Sequence, residues 1–307
     1  MPGRGPPPAS ARGDRDRLPE AGGGRDNGGR WRRRGRAHPL HILGRTKLER
    51  LVALARQTRV TVAVDSETTV QGLADAGRSA GVELGVVVEL DQGRTGVPSP
   101  EAAVALGRLI DRLPGLALRG VMVMPSPPGI RPLMQEVLDR FDREGLPHPI
   151  VSGGSTPCAL TAHQVPELTE HRAGEYAVGG VSHLRRGTHT VAQCALRVLM
   201  TVVSRPVAGR AILDGGSKSL SASVLHDDAG SCMGYLVEYP EARFTGASEE
   251  HGHVDVSACP CPPVIGERVQ VLPVHPCPCV NEHDEIVAVR GDRVEAIWPV
   301  HARGRSR

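Results

Sequence analysis

With 307 residues, 39% of them hydrophobic and only 2% aromatic, the chain is long enough to bury a sizeable core of Val, Leu, Ala and Ile and to divide into two domains. The formal charge of +3 is uneven: residues 1 to 40 hold ten Arg against four acids, which leaves the remainder near −3 and makes the basic balance no nucleic-acid signal. No run of about 18 apolar residues occurs, which excludes a spanning helix, and seven Cys without an apolar signal segment point to a reduced cytoplasmic protein rather than a disulfide scaffold.

Residues 1–37 contain nine Gly, five Pro and ten Arg and end in RWRRRGR. Such a segment buries too little surface to offset its ordering entropy, so it is expected to be a disordered Arg/Gly-rich tail. An RNA-binding role through charge and Arg stacking is the functional alternative. A third reading is that the tail is not authentic sequence.

From His38 the pattern becomes periodic. HPLHIL (38–43) predicts a short strand, and TKLERLVALARQ (46–57) places Leu48, Leu51, Val52 and Ala55 on one helical face. VTVAV (60–64), a helix from Glu67 to Ala80, LGVVVEL (84–90) and a helix from Pro100 to Leu113 follow. LRGVMVM (118–124), a helix from Arg131 to Glu144 and HPIVSGG (148–154) complete the series. Short strands apolar on both faces, alternating with helices, predict a helix-covered parallel sheet, as a TIM-like barrel or an open doubly wound sheet.

After His171 the period changes. The stretches 193–206, 209–216, 234–240, 251–257, 267–274, 285–291 and 293–300 read as strand after strand with little room for helices. That half is expected to be an antiparallel β-barrel or sandwich, with the boundary near Val181 to Val191. The domains are thus the tail 1–37, an α/β domain 38–185 and a β domain 186–303.

Three constellations carry chemistry. SGGSTP (152–157) follows a strand and leads into a helical stretch, so backbone N–H groups of Gly153, Gly154, Ser155 and Thr156 are placed to hold a phosphate dianion; a capped Gly-Ser turn is the plain alternative. Arg94, in VVVELDQGRTGV (86–97), stands at a strand's C-terminal mouth, where a guanidinium holds a phenolate or carboxylate or simply an ion pair on the rim. In GERVQVLPVHPCPCVNEHDE (266–285), His275 and Cys277 point the same way on extended chain with Pro276 stiffening the turn. Their nitrogen and sulfur suit Zn²⁺, with Cys279 and His283 as alternative donors.

The run from Val271 to Gly304, including Asn281, His283, Asp284, Arg290, Gly291 and Trp298, resembles the C-terminal signature of the D-threonine aldolase and D-serine dehydratase family. These are fold-type III, alanine racemase-like pyridoxal-phosphate enzymes. SGGSTP, GEYAVGG (174–180), LDGGSKS (213–219) and EEHG (249–252) resemble its other motifs. The resemblance implies an incomplete alanine racemase-type (β/α) barrel followed by a C-terminal antiparallel β domain. It implies pyridoxal 5'-phosphate held at Arg94, Gly153, Gly154, Ser155, Thr156 and Tyr176, and Zn²⁺ or Mn²⁺ held by His275 and Cys277. It also places Lys218 at a structural or substrate-side position and His251 toward the metal. The implied activity is a lyase acting on small β-hydroxy D-amino acids in a homodimer, with no membrane or nucleic-acid partner.

One part is missing. A pyridoxal-phosphate enzyme needs a lysine for its Schiff base, and this family carries it in a PHxKTHK-like motif on its first barrel strand. The only lysines here are Lys47 and Lys218, and no such motif occurs. The run VMVMPSPPG (121–129) also departs from the family's GYEGH-like run. The chain is therefore expected to start near the family's third strand and to be inactive as written, with residues 1–37 arising from a misplaced start or shifted frame. A non-catalytic cofactor- or metal-binding remnant is the alternative function.

Overall fold

The structure, a computed structural model, describes residues 36–38 (backbone), 41–228 and 230–305; residues 1–35 of the expected tail lie outside them. The chain divides into two compact units, 1–173 and 174–307. No helix among the described residues is long and apolar enough to cross a membrane.

The first unit contains β1 (Arg36–His38), α1 (Arg45–Ala55), β2 (Val60–Val64), α2 (Glu67–Ala80), β3 (Leu84–Leu90), α3 (Pro100–Arg112) and β4 (Leu116–Val123). It ends with α4 (Arg131–Arg143), β5 (Ile150–Gly154), a 3-10 helix Thr156–Gln164 and β6 (Glu170–Arg172). All six strands are parallel and neighbour one another in chain order, β1 to β6. Each crossover therefore steps the same way, and the sheet has no point where the order reverses, as a doubly wound sheet must. This is the partial (β/α) barrel expected.

Local signals set the helix ends. Ser66 accepts from the Thr69 N–H at the start of α2 and left-handed Gly81 closes it, while Ser99 and Pro100 start α3. The core between sheet and helices is aliphatic, with Phe141 fully buried in it. The first strand differs from expectation. It spans Arg36–His38, so the segment expected to be disordered contributes residues 36 and 37 to the sheet; of the expected strand 38–43, residues 41–43 are irregular and residues 39 and 40 lie outside the described residues.

The second unit contains α5 (Val181–Arg185), β7 (Val198–Val207), β8 (Arg210–Leu213), α6 (Ser217–Leu220), β9 (Leu225–Asp227), β10 (Gly230–Cys232), β11 (Gly234–Leu236) and β12 (Arg243–Ala247). It continues with β13 (Gly252–Asp255), β14 (Arg268–Pro273), α7 (Pro276–Asn281), β15 (Glu285–Arg290) and β16 (Arg293–Pro299). Six strands close an antiparallel barrel in the order β11-β12-β13-β8-β7-β14, and β15 and β16 form a separate hairpin. The second phenylalanine, Phe244, is fully buried in the barrel core.

The expected antiparallel barrel with little room for helices is present: among the described residues only α6 and α7, of four and six residues, lie between the strands of this half. The boundary falls after Ala173 rather than at 185, because Val181, Leu184, Val191 and Cys194 pack with Cys232, Leu272 and Val274 of the β unit.

Candidate metal centre and anion loop

His275 and Cys277 do converge, by a different route from the one expected. β14 ends at Pro273, His275 is the extended residue before α7, and Cys277 sits in that helix's first turn, so a strand-to-helix turn rather than an extended run brings the donors together. The two alternative donors are engaged elsewhere: Cys279 Sγ (3.3 Å) and His283 Nε2 (2.8 Å) both contact the Ser219 carbonyl. Burial, and after it Glu282, push the Cys279 thiol up to about 12, so it is protonated and inert. His251 is not among the clustered donors, and Lys218 is ion-paired with Glu249 and Glu250, which raise its pKa further.

Glu175 completes the cluster. Its Oε1 lies 3.1 Å from His275 Nε2, and the donor atoms of Glu175, His275 and Cys277 all lie within 4.8 Å of one another. The loop after Gly174 reaches the β14–α7 turn because Gly180 has no side chain: a Cβ there would meet the Pro273 carbonyl at 2.9 Å and Pro276 Cδ at 3.0 Å. The Ser182 N–H donates to the Val274 carbonyl at 3.3 Å, fixing the same approach.

Behind the carboxylate stands His183, almost fully buried, with Nε2 3.7 Å from Glu175 Oε2. Burial lowers its pKa, keeping the imidazole neutral. Cys277 reaches the surface, yet surrounding protein and then the Glu175 carboxylate raise its thiol pKa. A bound divalent ion would reverse this by displacing the proton. Imidazole nitrogen, thiolate sulfur and carboxylate oxygen fit zinc, and the site is open enough to leave it a free position.

Glu175 was legible only in part. It stands in the same G-E-Y triplet as Tyr176, on which the sequence reading settled. The Tyr176 side chain is 65% exposed and its carbonyl accepts from His189 Nε2 at 3.0 Å.

In the first unit the SGGSTP loop ends β5 as expected, but its donors are largely committed. The Gly154 N–H donates to Ser126 Oγ (3.0 Å), the Ser155 N–H to the Arg172 carbonyl (3.1 Å), and Pro157 has none. Gly153 is required by packing, since a Cβ would lie 2.6 Å from Leu168 and 2.7 Å from Ser126. Ser155 holds φ +91°, a left-handed conformation rare outside glycine, and Thr156 is buried.

Arg94 curls over the strand ends, 3.6 Å from the buried Glu89 and 3.7 Å from the Met124 sulfur. Arg172, missed in sequence, joins it there: its guanidinium bonds Ser152 Oγ (2.9 Å) and the Val123 carbonyl (3.0 Å) and lies 3.9 Å from the same sulfur. Next to them His41 spans two carboxylates, Asp65 at 3.1 Å and Glu89 at 3.0 Å.

No lysine completes this group. Lys47 is exposed on α1, and Lys218 belongs to the β unit. With no amine at the strand ends and two loop N–H groups already bonded, the residues present do not fit a covalently anchored pyridoxal phosphate.

Comparison with known proteins places both units. Residues 17–182 match the family model described as "Alanine racemase, N-terminal domain", and residues 195–289 that described as "Putative serine dehydratase domain". The first match reaches into the expected tail. The chain is 31% identical over 284 residues to a D-threonine aldolase of Arthrobacter sp., covering 87% of this chain and 73% of the relative. Among solved structures it is similar to D-threonine aldolase from Filomicrobium marinum, at 29% identity and TM-score 0.75, covering 87% of this chain and 76% of that one. It is also similar to a D-threo-3-hydroxyaspartate dehydratase variant in its metal-free form, at 26% identity and TM-score 0.71, covering 85% and 78%.

Proposed function

Because the chain belongs to the alanine racemase-like, fold-type III family of pyridoxal-phosphate enzymes, we propose that it is a metal-binding member of the β-hydroxy D-amino acid lyases that does not turn over substrate as written. Its named relatives are aldolases and dehydratases of such amino acids. The observation that carries the reading is the cluster of His275, Cys277 and Glu175 donors within 4.8 Å.

His275 and Cys277 hold the ion, and the thiolate favours Zn²⁺ over Mn²⁺. When bound, the ion supplies Lewis-acid binding of a substrate hydroxyl at C3. Around it the protein's own residues orient. The half-exposed His275 leaves the ligand side open, Glu175 faces the imidazole, and α7 buries Cys279 away from solvent. In the first unit Arg94 is the half-exposed cation at the strand ends, placed to meet an anionic ligand from its position over Glu89, while Arg172 stays tied to backbone. A sulfur donor inclines the reading to dehydration over retro-aldol cleavage, and D-serine, D-threonine and 3-hydroxy-D-aspartate are the substrate candidates.

No step is assigned to pyridoxal phosphate, since no lysine stands where its imine would form. The test is metal analysis of the purified chain, followed by incubation with pyridoxal phosphate, borohydride reduction and mass mapping. One equivalent of zinc, no pyridoxyl-lysine and no keto acid or aldehyde product are expected. A pyridoxyl group on Lys47 or Lys218 with turnover would overturn the inactive reading, and a metal-free protein that takes up no zinc would overturn the site.

A further inference from the structure

The carboxylate at the metal site is held from behind as well as from the front. We propose that Glu175 is the third protein donor of the zinc site and that His183 is the positioning residue that fixes it there, an inference that rests on the metal reading above.

The two oxygens of Glu175 face different imidazoles. Oε1 is 3.1 Å from His275 Nε2 on the open side, and Oε2 is 3.7 Å from His183 Nε2 on the buried side. Bonds of about 2.0–2.3 Å to one tetrahedral ion would set its donors about 3.3–3.8 Å apart. Donor atoms already within 4.8 Å therefore need only small side-chain rotations to share an ion.

His183 is held in one orientation. Ser182 Oγ lies 3.3 Å from its Nδ1, so a hydroxyl donating there leaves Nε2 to carry the N–H that faces Glu175. The His189 ring packs edge-on against it, with centroids 5.0 Å apart, while His189 Nε2 donates to the carbonyl of Tyr176, the residue after Glu175. The Val178 and Gly179 N–H groups both return to the Glu175 carbonyl. The backbone of Glu175 is thus fixed before any ion arrives, and Oε2 has only a few tenths of an ångström to close to accept a hydrogen bond from His183 Nε2. A ligand carboxylate tied by an outer imidazole N–H is the arrangement by which proteins orient metal ligands, and loss of such a partner weakens binding by about 10–100-fold. With three protein donors, the site holds zinc without help from cofactor or substrate.

The experiment is zinc-competition titration and Co²⁺ absorption on the full-length chain. The wild type should show a thiolate-to-cobalt band and visible bands of low-symmetry four-coordination. Glu175→Gln should bind zinc about 10–100-fold more weakly, keep the thiolate band and change the visible bands. His183→Phe, which keeps the volume and removes the N–H, should weaken zinc by about 10-fold, and His183→Gln should restore most of it. Should His183→Phe not fold, Glu175→Gln and His183→Gln decide. Zinc affinity unchanged in Glu175→Gln while His275→Ala abolishes binding overturns the third donor and leaves the metal reading standing. Equal loss in His183→Phe and His183→Gln overturns the positioning role. Wild-type affinity in His275→Ala and Cys277→Ser would sink the metal reading itself.

Discussion

Glu89 is 1% exposed at the end of β3, and its carboxylate accepts a hydrogen bond from His41 Nε2 at 3.0 Å and faces Arg94 at 3.6 Å. Replacing His41 with Leu removes the nearer partner and leaves a buried carboxylate facing an apolar side chain. Removing one member of a buried pair costs about 3–5 kcal/mol because the remaining charge stays desolvated. Arg94, half-exposed and farther away, and the Arg172 guanidinium remain near the carboxylate, so the expected loss is about 3 kcal/mol, at the low end of that range. Replacing both members with apolar groups removes the part of the loss owed to Glu89, so His41→Leu/Glu89→Leu should be more stable than His41→Leu, the share owed to Asp65, which also faces His41 at 3.1 Å, remaining. Urea unfolding gives the magnitude. Hydrogen exchange read on peptides covering β2, β3 and β4 assigns it to the parallel sheet rather than to the β unit. A single variant within about 1 kcal/mol of wild type, or a double variant no better than the single, would refute the account of Glu89 as a charge dependent on His41.

Ellman's reagent on the metal-free protein should react quickly with the exposed Cys261, more slowly with Cys277, which is exposed but whose thiol pKa is raised by the surrounding protein and then by Glu175, and not with the buried Cys279, whose thiol pKa is about 12; zinc should then protect Cys277 further and leave Cys261 reactive, as read by mass mapping. Gly120→Ala should destabilise by about 3 kcal/mol or more, measured by urea unfolding, because φ is +126° and a Cβ would run into the Ile150 carbonyl across the β4–β5 ladder. Tyr239 is held up to about 12 by its hydrogen bond to Glu267 and then by burial. The unfolded phenol titrates near 10, so this contribution is complete below that pH and is lost as pH rises through about 12. Melting temperatures should therefore fall less steeply above pH 10 in Tyr239→Phe than in wild type.

The parallel sheet was legible because its cues are local. Ser66, Gly81, Ser99 and Pro100 mark helix ends within one turn, and α2 runs over the expected residues. Strand order could not be read, since apolar runs such as VTVAV and LGVVVEL fit a barrel and a doubly wound sheet alike. The metal pair was legible from two donor types two residues apart, though the helix that starts at Pro276 was not. Glu175 lies 100 positions from its partner His275, and only the fold brings them together. The available signals were an acid inside a motif already singled out and the Gly179-Gly180 pair that permits close packing. The His41, Asp65 and Glu89 cluster went unnoticed for the same reason, although acids at the ends of two successive strands were there to be seen.

The two candidate sites are built from different parts of the chain. Every contact described for Glu175, His183, His275 and Cys277 is made by residues 174–307. The loop at Gly153 to Thr156 and the Arg94 and Arg172 guanidiniums are braced by Ser126, Ser152, Val123 and Glu89 of the parallel sheet. A Schiff-base lysine would belong to the strand ends of that sheet. The donors of the metal site are oriented by short-range contacts, a Gly180 approach and a buried imidazole, all of which form on folding of the β unit. The proposed metal site and the expected cofactor loop therefore rest on separate sets of contacts, so that a substitution at His275 or Cys277 tests the first without touching the residues named for the second.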